Sequence, residues 1–118
     1  MKINLWLDDA REAPEGWVHV KSVEEAKPYF AQGLVEHSSL DHDLGACEDC
    51  LDGGDAEDWM SRTKYAEMPN CEHVGTGYTL VCWLAETGHW PETRPVVHSA
   101  NAAGRARMEA AIKRCYGR

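Results

Sequence analysis

Apolar and polar positions alternate over residues 3–7, with Ile3, Leu5 and Leu7 set against Asn4 and Trp6. A period of two predicts a strand, and Asp8-Asp9 closes it. Ala10 to Gly16 reads as a loop, marked by Pro14 and Gly16, and Trp17 to Val20 as a short second strand. Ser22 followed by Glu25 forms a capping-box pattern, which predicts a helix running to about Gln32. Gly33 suits its C-terminal cap, and Pro28 inside it predicts a kink. Residues 34–41 form the next strand. After an interruption, Thr76 starts a helix with Leu80, Trp83 and Leu84 on one face and Gly88 at its end. Residues 94–98 make a fourth strand. Asn101 then caps a last helix, with Met108, Ala111, Ile112 and Cys115 on its inner stripe.

Strands alternating with helices predict an α/β fold with a mostly parallel sheet and right-handed crossovers. In such sheets ligands bind beyond the carboxyl ends of the strands. Three apolar runs end there in polar residues: Leu5-Trp6-Leu7 in Asp8-Asp9, Ser39-Leu40 in Asp41-His42-Asp43, and Val96-Val97 in His98-Ser99. The order of residues alone therefore gathers Asp8, Asp9, Asp41, Asp43, His98 and Ser99 at one edge. In an extended strand His42 points away from Asp41 and Asp43. Gly45 offers the turn that would relax this alternation.

Size adds one domain, residues 1–118, with 43% apolar residues and five tryptophans to build a core. No apolar run is long enough to span a membrane and no leader-like segment opens the chain, which predicts a cytoplasmic protein. The net charge is −8, unevenly spread. Residues 94–118 carry six basic residues against Glu109, a net of +5, so the remainder carries −13. That acidic body argues against general DNA binding. The basic segment either pairs with the body or holds one small anion.

The interruption at about 45–75 is rich in Gly, Asp, Glu and Cys and lacks a sustained period. A structureless stretch of this length needs an organiser. Cys47-x2-Cys50, twenty residues, then Cys71-x-His73 supplies four ligands of the kind that hold tetrahedral zinc. Four protein ligands leave no open position, so the expected zinc is structural. Cys82 and Cys115 fall in helical patterns and are expected to be buried.

At the polar edge, Asp8, Asp9 and Asp41 or Asp43 offer hard oxygen ligands suited to Mg²⁺ or Mn²⁺. His42 and His98 are the candidate acid/base groups. Arg11, Ser99, Asn101 at its helix start, and Arg105 are candidates to hold phosphate oxygens. His19, His37 and His89 have no comparable company.

Leu5-Trp6-Leu7-Asp8-Asp9-x-Arg11-x-x-Pro14, Ser39 to Gly45, the Cys/His insert, Gly75-Thr76-Gly77-Tyr78 and His98-Ser99-x-Asn101 together resemble the cyclic-phosphate processing receiver-like domains. The resemblance covers nearly the whole chain. It implies a divergent response-regulator receiver fold, a three-layer flavodoxin-like arrangement around about four strands with a zinc-stapled insertion. It also implies a metal-assisted phosphoesterase acting on a cyclic phosphate, either a cyclic nucleotide or an RNA end. Asp8-Asp9 match the acidic pair of an ordinary receiver, Asp41 or Asp43 takes the phosphoacceptor's place, and Ser99 resembles the switch hydroxyl. After His98-Ser99 only one helix follows, so no fifth strand brings the usual lysine, which disfavours phosphorelay signalling. A non-catalytic module that binds a phosphorylated ligand or a protein partner, and a degenerate phosphoacceptor domain, are the alternative readings.

Overall fold

The computed structural model describes residues 2–45 and 75–116. Four strands, β1 (Ile3–Leu7), β2 (Val18–Val20), β3 (Val35–Leu40) and β4 (Val96–Val97), form one sheet in the order β2-β1-β3-β4. Every pairing is parallel. Among the described residues three helices accompany them: α1 (Val23–Ala31), α2 (Gly77–Thr87) and α3 (Ala102–Cys115).

Each helix starts where its side chains can satisfy free N–H groups. Ser22 Oγ accepts from Glu25 N at 3.1 Å, while Glu25 returns its bond to Lys21 N at 3.0 Å, one residue before the cap. Thr76 and Thr79 bond reciprocally at the start of α2, and Asn101 Oδ1 accepts from Gly104 N at 3.0 Å at the start of α3. α1 runs through Pro28 to Ala31, and Gly33 follows at φ 70°. β4 is shorter than expected because Pro95 has no N–H to give to the ladder. The pairing resumes past it, where His98 N bonds Leu40 O at 2.9 Å.

Register assigns the two sheet faces. Leu7, Val20, Leu40 and Val97 align on one face, and Trp6, His19, Ser39 and Val96 on the other. Leu5, Leu7, Val20 and Leu40 join Phe30, Leu80, Leu84, Met108 and Ile112 in one buried cluster, so all three helices cover the first face. The described residues therefore form two layers where three were expected. Connection handedness explains the pattern. The β2-to-β3 and β3-to-β4 connections run in the same direction and share a face. The β1-to-β2 connection runs oppositely and crosses the second face as a loop, with Trp17 edge-on to Trp6 at 6.2 Å. Cys82 and Cys115 are only partly buried, short of the expectation. Among the described residues no helix is long and apolar enough to cross a membrane. Cys47, Cys50, Cys71 and His73, and with them the expected zinc, lie outside the described residues.

Candidate functional site

β1 and β3 are adjacent, and the connections leaving β1 and β3 depart in opposite directions. Their carboxyl ends therefore form the switch point at which sheets of this kind bind ligands. Asp8, Asp9 and Asp41 meet there, each offering one oxygen within 4.8 Å of the others. Asp41 N still bonds Leu7 O at 2.9 Å, so the ladder itself sets the two strand ends side by side.

The three carboxylates are held differently. Asp8 is 1% exposed. Its Oδ1 accepts from Ala10 N at 2.8 Å and Arg11 N at 2.9 Å, and its Oδ2 faces His98 Nε2 at 3.0 Å. Burial pushes the Asp8 carboxyl up, but the Arg11 and Ala10 amides and His98 together hold it below the usual range. Asp9 is raised by burial, helped by the charges of Asp8 and Asp43. Asp41 is pushed up to about 6, first by burial and then by the charge of Asp8, against bonds from Ser99 and the His42 amide. The cluster therefore holds more negative charge than its donors compensate.

Beyond Leu40 the chain bends, and the triplet divides. Asp41 stays with the carboxylates, while His42 turns toward α3 and is 8% exposed. The His42 ring lies against Gly104, where a Cβ would come within 2.5 Å of its Cγ. Asp43 Oδ1 is 2.8 Å from His42 Nδ1, and Asn101 Nδ2 bonds the same oxygen at 3.3 Å. A carboxylate only accepts, so Nδ1 carries the proton. Nε2 makes no hydrogen bond among the described residues. Gly77 locks this loop to α2: its N bonds His42 O at 2.9 Å, and a Cβ on it would overlap the Asp41 carbonyl oxygen. Gly45, at φ 76°, supplies the turn that follows.

His98 takes the opposite side. Its ring stacks on Trp6 at 3.8 Å with 10° between planes, and its Nδ1 is 2.6 Å from Ser39 Oγ. Burial lowers its pKa against the raising effect of Asp8. The two histidines thus flank the carboxylates from the two faces of the sheet.

The chain belongs to the cyclic-phosphate processing receiver domain family. The family model of that description matches residues 3–114. No curated protein and no solved structure matches at a significant level.

Within this receiver-family site, Ser99 is 7% exposed, bonds Asp41, and accepts from Asn101 N at 3.1 Å. Arg11 is exposed and contributes its backbone, accepting Trp6 Nε1 at 3.2 Å. Arg105 points its guanidinium down α3 to Glu109, 3.9 Å away, and does not join the carboxylates. His19 Nε2 sits 2.7 Å from Asp8 O, so it belongs to the site's frame despite its plain sequence surroundings. Sequence reasoning passed over Trp6, Ser39, Gly77 and Gly104 as site residues. Two of them carried a signal: a tryptophan on the polar side of an alternating strand, and a glycine inside a helical pattern.

Proposed function

We propose that this domain is a metal-assisted phosphoesterase that opens a cyclic phosphate, on a nucleotide or a nucleic-acid end. The observation that carries the reading is the convergence of Asp8, Asp9 and Asp41 beside the His42–Asp43 pair. Crowded carboxylates, two of them raised, suit a hard divalent cation, Mg²⁺ or Mn²⁺. When bound, such an ion would neutralise phosphate charge and stabilise the leaving oxygen.

The chain's own residues would do the rest. His42, its Nδ1–H fixed by Asp43, presents Nε2 to take a proton from water as the water oxygen bonds phosphorus. One ring P–O bond breaks, the leaving oxygen takes a proton from solvent, and His42 returns its own proton to solvent. Asn101 holds Asp43, so the pair keeps its orientation while the proton moves. The first N–H groups of α3 would meet the phosphate oxygens, while the Ser99 hydroxyl, its proton given to Asp41 and its oxygen accepting from Asn101 N, ties that helix start to the carboxylates. The Cys47, Cys50, Cys71 and His73 spacing supports a structural zinc in the same reading.

Purified protein with Mg²⁺ or Mn²⁺ should open at least one member of a panel of cyclic nucleotides and of oligonucleotides ending in a cyclic phosphate, followed by ³¹P NMR. His42→Ala should lower the rate about 100-fold or more. No turnover with any substrate and either metal overturns the reading. Tight binding without turnover would favour the non-catalytic module, and a stable acyl-phosphate on Asp41 the phosphoacceptor remnant.

A further inference from the structure

Histidines at phosphoester sites are usually read as proton-transfer groups, and such a group needs one ring nitrogen open to substrate. His98 has none. Asp8 Oδ2 can only accept, so the contact at 3.0 Å puts a proton on His98 Nε2. In the neutral ring Nδ1 is then an acceptor, and the Ser39 hydroxyl, 2.6 Å away, donates to it. Trp6 covers the ring in near-parallel stacking, and only 14% of the side chain is accessible. Ser39 is itself 6% exposed. The unit Ser39–His98–Asp8 is closed at both ends, with a fixed donor direction.

Its consequence falls on Asp8. A carboxylate offers about four acceptor positions. Ala10 N, Arg11 N and His98 Nε2 take three, leaving one for a cation shared with Asp9 and Asp41. Without the third donor the carboxylate could rotate about its bond to Cβ. With it, the plane of the group is set from both sides.

We infer that His98 is a positioning residue: backed by Ser39 and Trp6, it aims the Asp8 carboxylate at a divalent cation and takes no part in proton transfer. The inference rests on the proposal that Asp8, Asp9 and Asp41 take such an ion. Donors behind a metal-ligating group typically matter by about 10–100-fold in affinity.

The test measures Mn²⁺ binding to the full chain by EPR, alongside turnover of whichever cyclic phosphate the wild type opens. His98→Ala should weaken Mn²⁺ about 10–100-fold. His98→Gln keeps an N–H for Asp8 and should stay within about threefold of wild type in Mn²⁺ affinity, with turnover retained. Ser39→Ala leaves the ring on Trp6 but frees its far nitrogen; it should show a smaller weakening in the same direction, which guards against His98→Ala simply failing to fold. Wild-type Mn²⁺ affinity in both His98→Ala and Ser39→Ala would overturn the positioning role. So would His98→Gln binding Mn²⁺ normally but losing turnover about 100-fold, the mark of a proton-transfer group. Wild-type protein that takes up no Mn²⁺ overturns the cation reading and this role with it.

Discussion

Asp41 is the residue at which the site's electrostatics become measurable. Its carboxyl binds a proton more tightly in the folded chain, near 6, than at its ordinary value of 3.8. Its contribution to stability is therefore full below about pH 4 and is lost as pH rises through about 6. Asp41→Asn removes the charge that causes the loss. Its melting temperature should match wild type near pH 4 and exceed it by several degrees near pH 7.5, an advantage of about 1–2 kcal/mol after solvent screening. Millimolar Mg²⁺ should narrow the gap at the higher pH only. A gap that stays constant across the range would refute this account. At this scale the sequence was informative about which residues matter and silent about their division of labour. Asp41, His42 and Asp43 are neighbours in the chain, yet a bend after Leu40 sends one to the carboxylates and two to α3. That split depends on Gly77 and Gly104, which lie far along the chain and act by having no side chain.

Elements were more legible than their uses. The caps at Ser22, Thr76 and Asn101 formed where the sequence put them, because capping is a local transaction between neighbours. β4 was overestimated, because the cost of Pro95 depends on which strand it must pair with. α3 shows best how an element serves the site: its first turn caps through Asn101, and its third residue, Gly104, makes room for the His42 ring. Gly104→Ala sets a gain in helix propensity of about 1 kcal/mol against a steric cost of about 1–3 kcal/mol. We expect a small net loss of stability and a drop of about tenfold or more in turnover as the ring is displaced. Thermal melts together with the NMR signals of the His42 ring check this; a stabilised, fully active variant would show that the ring has room to spare.

At the scale of the molecule, the described residues form a parallel sheet with their helices on one face, and that asymmetry was not readable from element order alone. The alternation of strands and helices gave the parallel sheet and the polar edge. The face each helix takes depends on strand order, which appears only once β1 is seen between β2 and β3. The family match supports the same architecture over residues 3–114. Placing His42 and His98 on opposite faces follows from that topology as well, since Gly104 sits with the helices and Trp6 on the other side.

The bond between Asp8 and His98 spans 90 positions of the chain, and this has a kinetic consequence. β1 meets β2 across a short loop, whereas β4 reaches β3 only after a far longer segment has been closed. Loop-closure entropy therefore favours the β1–β2–α1–β3 half as the early nucleus, with β4 and α3 docking late. Leu5→Ala should slow refolding, while Val97→Ala should mainly speed unfolding, and stopped-flow chevrons distinguish the two. A chain caught partway would carry Asp8, Asp9 and Asp41 without His98 behind them, so the cation binding we propose would arrive only with the last step of folding.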